Sequence, residues 1–244
     1  MPLINADAKA LEWYGAVFLS GDRVGYREIS EGIDQHSVNR EFLGFPPGEE
    51  GRLKAKTFVF RLIYGGSAYA YANDPVFTPV SQDQKFWEDV IKRFYEKYQD
   101  LGRWHNNLVE LAMKQGYIEI PTGRQFTFKP ERNEWGKWKW PRTKILNYPV
   151  QGFGADFMTV ARVLVCKTIK ERPHLHDVLF VCTVHDSLVF DAPTEKVAEV
   201  VQIIKDCWDK LPEELMRVFK FNFDLKPKVE VSVGMDWKHL TEIE

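Results

Sequence analysis

The chain has 244 residues, 44% hydrophobic and 28% charged. That is enough apolar content for one large domain or two intimately joined subdomains, and it excludes a disordered chain. No apolar run approaches the roughly 18 residues of a membrane span, the start has no basic leader, and three scattered cysteines (Cys166, Cys182, Cys207) exclude a disulfide framework or zinc cluster.

Taken in order, PLINA reads as a short buried strand stopping at Asp7, and 8–20 as a helix with Leu11, Tyr14, Val17 and Phe18 at helical spacing before a Gly21-Asp22 stop. A short helix over 34–43 closes at Gly44, and a second over 49–64 closes at Gly65-Gly66. A long amphipathic helical stretch covers 82–115, with its break expected near Gly102. Residues 116–128 alternate like a hairpin turning at Thr122-Gly123, and 147–170 are helical after an irregular start at Pro149. VLFVCTVHDSLVFD (178–191) is a hairpin pattern with His185-Asp186-Ser187 at its tip. A helix over 192–215 and a strand over 226–234 complete an α+β pattern, a sheet with a helical insertion.

The net charge is −2, but basic groups are unevenly spread. Residues 52–61 carry four basic side chains and no acid, and 129–144 carry six against two, interleaved with three tryptophans. Such strips serve as solvated helix faces or loops; basic strips with aromatics also suit a polyanionic backbone and stacked bases.

Asp7 and Asp186 both end strand-like segments. Each alone reads as a turn residue or, for Asp7, a helix N-cap; paired from adjacent strands, they would form a hard-oxygen site suited to Mg²⁺. Arg52, Lys56, Phe60 and Tyr64 recur at i, i+4 spacing and so line one stripe of one helix. Two cations then two aromatics is not a core stripe. It offers charge to a triphosphate and rings to a sugar or base. No Walker loop or Rossmann fingerprint is present to take that task.

These segments resemble the motifs of family A DNA polymerases, the bacterial DNA polymerase I type. NADAKALEWYGAVFLSGD (5–22) is similar to the first catalytic motif and RLKAKTFVFRLIYGGSA (52–68) to the second, R-x3-K-x3-F-x3-YG. TVHDSLVFDAP (183–193) is similar to the third, NYPVQGFGADFM (147–158) to the N-x-P-x-Q-G-x-x-A-D segment, and KVEVSVGMDW to the closing strand. The matches keep the family's order over nearly the whole chain. The implied fold is a polymerase palm, an antiparallel sheet with helices, over 1–30 and 116–244, with a mostly helical fingers subdomain inserted over 31–115.

The resemblance implies a DNA-templated DNA polymerase adding deoxynucleotides to a primer. Asp7 and Asp186 would hold two Mg²⁺ ions (Mn²⁺ as substitute), with the Ala8 carbonyl as a further ligand. Arg52 and Lys56 would contact the triphosphate, Lys56 also serving catalysis. Phe60 would pack on the sugar, Tyr64 would sit by the nascent pair, and Glu12 would crowd the 2′ position. His185 would touch the primer terminus, Asn147 and Gln151 the minor groove, and Arg124 the DNA.

Three positions depart from the pattern: Ser187 stands for an acid, Arg61 for a glycine, and Thr143 for an arginine. The thumb and exonuclease are expected to be absent, so the resemblance points to a truncated chain or a polymerase split between two genes, as in some phages. A second chain would then supply the thumb and remaining palm, with or without an exonuclease, in a bacterial or phage-infected cytoplasm. Two alternatives stand beside this one: a single-subunit phage-type RNA polymerase, which Ser187 favours, and a non-catalytic, polymerase-like DNA-binding subunit.

Overall fold

The computed structural model describes residues 1–133 and 135–243; Glu134, one of the two acids of the 129–144 strip, lies outside them. Strand β1 (Leu3–Ala8) is followed by helices α1 (Leu11–Ser20), α2 (Arg23–Ser30), α3 (Gln35–Leu43), α4 (Glu49–Ile63), α5 (Ala68–Ala72), α6 (Gln84–Lys97) and α7 (Gln99–Gln115). Hairpins β2 (Tyr117–Glu119)–β3 (Gln125–Thr127) and β4 (Glu131–Arg132)–β5 (Trp138–Lys139) come next. The chain continues with α8 (Arg142–Lys170), β6 (Leu179–Val184), β7 (Ser187–Asp191), α9 (Val197–Asp209), α10 (Leu211–Phe219), β8 (Val229–Gly234) and β9 (Thr241–Ile243). Two compact units divide it: Met1–Leu11 together with the chain from Gly152 onward, and Glu12–Gln151.

The first unit is built on a five-stranded antiparallel sheet in the order β6-β7-β1-β8-β9. β1 is its central strand. Ile4, Ala6 and Ala8 are buried on one face while Leu3, Asn5 and Asp7 are half-buried on the other, the period of two expected of a sheet. Helix α9 packs its buried Val200, Ile204, Cys207 and Trp208 side against β1 and β8. Phe157 of α8 meets Trp208 and Phe223 at ring distances of 6.3 and 5.8 Å. Among the described residues β6 is an edge strand, and Leu179, Phe180, Val181 and Val184 on it are exposed. An apolar open edge of this kind is a template for further pairing.

The second unit is mainly helical. Phe58, Tyr71, Phe77, Trp87 and Phe94 form an aromatic core, with Phe58–Tyr71 rings 4.8 Å apart and Tyr71–Trp87 rings 5.3 Å apart. Leu108, Ala112, Ile118, Phe128, Ile145 and Leu146 make another cluster, flanked by Trp104 and Trp140. Buried Asp22 ties two helices together: Oδ1 accepts from the amides of Val24 and Gly25, and Oδ2 from that of Leu101. Gly21-Asp22 therefore ends α1 and caps α2, a helix that the sequence pattern does not announce.

Other differences from the sequence expectation have physical causes. The long helical stretch breaks at Tyr98, not Gly102. Tyr98 leaves helical geometry (φ −101°, ψ 69°), and its hydroxyl donates to Glu28 (2.7 Å) and lies 3.2 Å from the Asn39 side-chain oxygen. Gly102 sits inside α7, where an added Cβ would lie 3.0 Å from Tyr95. α8 starts at Arg142 and carries Pro149 within it, so the proline does not set the start. The 192–215 segment splits into a 3-10 turn, α9 and α10, because Pro212 favours a new first turn. Part of the 129–144 strip is a β-hairpin, and β9 adds an outer strand. All three cysteines are free thiols.

Candidate active site

In the sheet unit, the register of β1 and β7 pairs Asp7 with Ser187, the residue after Asp186. The amide of Ala8 donates to the Asp186 carbonyl at 2.9 Å, so Asp7, Ala8 and Asp186 are held by one patch of backbone ladder. Asp7 lies within β1, four residues before α1, and is no N-cap. The Ser187 hydroxyl donates to Asp7 Oδ1 at 2.5 Å. Ser187 is the first residue of β7, so the hairpin tip is His185-Asp186 alone. His185 is exposed and takes φ 52°, a left-handed value that non-glycine residues adopt at a cost.

These groups suit a hard divalent cation. Asp7 and the Ala8 main-chain carbonyl, on strand β1, and Asp186, at the hairpin tip, offer oxygen donors of the kind such a cation takes. Among the described residues no group of three or more His, Cys, Asp or Glu is arranged to hold a metal ion.

In the helical unit, α4 buries Ala55, Phe58, Val59, Leu62 and Ile63 on one face. Arg52, Lys56, Phe60 and Tyr64 form the stripe that the spacing predicts, half-buried except for exposed Lys56. The Lys56 ammonium is 5.7 Å from the Phe60 ring centroid. Tyr64 accepts a hydrogen bond from Gln151 Nε2 of α8. Half-buried Asn147 lies one helical turn before Gln151. Arg124 is exposed in the turn of the β2–β3 hairpin, and Glu12 is in the first turn of α1.

Arg52 has partners that sequence reasoning missed. Its Nε donates to Asp34 at 2.7 Å and its Nη1 to Glu49 at 3.3 Å. Burial acts to raise the Asp34 pKa, but hydrogen bonds from Arg52, Ser37 and the His36 amide carry it down to about 2. Asp34 also caps α3. His36 beside it packs 5.9 Å from Phe60 and is lowered to about 4, first by burial and then by Lys56 and Arg52, against the pull of Asp34. Eighteen residues separate Asp34 from Arg52, so no local pattern announces the pair. Arg61 ion-pairs with Asp74 and lies 5.3 Å from the Phe77 ring, a structural tie. Thr143 packs near Gly65 (φ 85°), the glycine that ends the α4 turn.

The sequence profile of DNA polymerase family A matches residues 1–239. The chain belongs to that family. DNA polymerase I of Thermus thermophilus, described as thermostable, is 27% identical over 241 residues, covering 96% of this chain and 27% of the relative. DNA polymerase I of Chloroflexus aurantiacus is 24% identical over 92% of this chain and 24% of its own length. This chain therefore spans about a quarter of the length of these relatives. The fold resembles the POL domain of Pol1 from M. smegmatis, solved in complex with DNA primer-template and dNTP. The TM-score is 0.81 and the identity 22%, over 97% of this chain and 40% of that one. Family A DNA polymerases generally use divalent metal ions. No helix among the described residues is long and apolar enough to cross a membrane.

Proposed function

We propose that this chain carries the nucleotide-binding and catalytic parts of a DNA-templated DNA polymerase. The observation that carries the reading is the β1–β7 register, which pairs Asp7 of the first motif with Ser187, the residue next to the hairpin-tip Asp186 of the third. Family membership and the likeness to a polymerase domain in complex with DNA and dNTP support it. On this reading residues 1–30 and 116–244 serve as palm and 31–115 as fingers.

The reaction is attack of a primer 3′-hydroxyl on the α-phosphate of a deoxynucleoside triphosphate, with loss of pyrophosphate. Two Mg²⁺ ions held by Asp7, Asp186 and the Ala8 carbonyl, with Mn²⁺ as substitute, would activate the hydroxyl and neutralise the leaving group. Arg52 and Lys56 supply positive charge to the triphosphate, and Arg52 exchanges Asp34 for phosphate oxygens as it does so. Lys56 is the exposed cation of the stripe and neutralises charge on the departing pyrophosphate. Phe60 packs on the sugar, Glu12 fills the 2′ space, and Gln151 steadies Tyr64 beside the new pair. Asn147 reads minor-groove acceptors that correct pairs share. His185 touches the primer terminus and Arg124 the DNA backbone.

The exposed apolar edge at β6 supports a further part of the reading: another polypeptide segment, on a second chain carrying thumb and remaining palm, covers it. Ser187 makes the phage-type RNA polymerase the second choice. Primer extension with deoxy- and ribonucleotides in parallel tests both. Preferential deoxynucleotide addition supports the DNA polymerase, ribonucleotide preference the other, and no addition by the chain with any co-purifying partner contradicts both.

A further inference from the structure

The β4–β5 hairpin of the helical unit carries side chains for which the nucleotide site has no use. Its register pairs Glu131 with Lys139 and Arg132 with Trp138. Asn133 organises the turn: its Oδ1 accepts from the amides of Trp135 (3.1 Å) and Lys137 (2.8 Å), and its own amide donates to the Lys137 carbonyl (2.9 Å). Gly136 takes φ 72°, as such a turn requires. At the base, Trp140 packs against the Leu108–Ile118–Ile145 cluster. The hairpin is thus footed on a core, while Trp135 and Trp138 stand 79% and 66% exposed.

Its charge is mainly positive: over 129–144 six basic residues stand against Glu131 and Glu134. Glu131 is neutralised by Lys144, at 2.8 and 3.0 Å. Lys129, Lys137 and Lys139 are exposed, and among the described residues no ion pair involves them. The Arg132 guanidinium lies 5.2 Å from the Trp138 ring centroid, which adds a cation beside a stacking surface. Two exposed indoles leave a large apolar area in water, which a ligand can recover. An apolar protein face would desolvate the lysines, which are depleted in protein interfaces. A polyanion with flat, unpaired rings satisfies both the charges and the indoles.

We propose that this hairpin binds single-stranded DNA, with Trp135 and Trp138 stacking on unpaired bases and Lys129, Lys137 and Lys139 contacting the phosphates. The inference rests on the polymerase reading only for the source of that strand, which would be unpaired template. Binding of a labelled oligothymidylate and of a blunt duplex by the whole chain, followed by fluorescence anisotropy, tests it. Trp135→Ala and Trp138→Ala should each weaken oligothymidylate binding about fivefold or more and leave blunt duplex binding and the unfolding midpoint unchanged. Lys137→Ala combined with Lys139→Ala should flatten the salt dependence by roughly 0.7 in log–log slope per lost contact. The binding is read with neither metal nor nucleotide present, so the hairpin site stands even if the catalytic assignment fails. Three results would overturn it: unchanged oligothymidylate affinity in both tryptophan variants, an equal loss on blunt duplex, or a change of oligomeric state in place of a change in DNA binding.

Discussion

Ser187 donates a 2.5 Å hydrogen bond to Asp7, from the position directly across the strand pair. Where the sequence resemblance implies an acid, this chain has a donor. A second carboxylate there would repel Asp7 until a cation bridged them; a hydroxyl instead orients the Asp7 carboxylate without adding negative charge.

Ser187→Ala should therefore raise the Mg²⁺ concentration needed for half-maximal nucleotide addition several-fold and cost about 1 kcal/mol or less of stability. Ser187→Thr, which keeps the hydroxyl, should restore much of the metal response. Metal titration of the addition rate, with thermal unfolding alongside, measures both. An unchanged metal requirement in Ser187→Ala would remove the hydroxyl from the account.

Asp34 holds the Arg52 guanidinium at 2.7 Å, and on the proposed function an incoming triphosphate would have to compete with it. Asp34→Asn keeps an N-cap for α3 and removes the competing charge. Its apparent affinity for dNTP should rise about two- to fivefold, the worth of a partly exposed ion pair. Nucleotide titration reads this directly; weaker binding would mean that Asp34 orients Arg52 for the phosphate.

His36 and His105 make stability depend on pH. Burial lowers His36 from 6.5 to about 4 and His105 to about 3, with Arg142 adding to the effect on His105. Both are neutral in the folded chain where the unfolded chain would bind protons. Stability should be fully present above pH 6.5 and fall on acidification toward pH 4, by up to about 1.4 kcal/mol per pH unit for each group. Urea unfolding between about pH 7 and pH 4 should show this slope, and His36→Gln and His105→Gln should each remove about one proton from it. A flat profile over that window would refute the assignment.

Sugar choice tests the placement of Glu12 and Phe60. Glu12→Ala should raise ribonucleotide incorporation by freeing the 2′ space, and Phe60→Tyr should raise acceptance of dideoxynucleotides by supplying a hydroxyl. Competition assays with paired nucleotides give both ratios. Unchanged selectivity in the two variants would mean that these residues do not meet the sugar.

The parts legible in the sequence are those set by short-range pattern. The β6–β7 hairpin follows from two apolar runs around a polar tip, and α4 from its i, i+4 stripe. What stays hidden depends on distant partners. The break at Tyr98 is decided by Glu28 and Asn39, 70 and 59 residues away, and Gly102 misleads because its role is contact with Tyr95. As candidates, the two aspartates and the α4 stripe are readable from motif order. The Ser187–Asp7 and Asp34–Arg52 bonds are not, since each joins segments that only folding brings together.

The most direct test of the central claim is the single-turnover rate of primer extension by Asp7→Asn and by Asp186→Asn, each alone and with any co-purifying partner. Losing a metal-binding carboxylate should slow addition about a thousandfold or more. The unfolding midpoint should stay near that of the wild type, since each aspartate is half-buried and Asp7 caps no helix. A well-folded variant of either kind that extends primers at close to the wild-type rate would contradict the account.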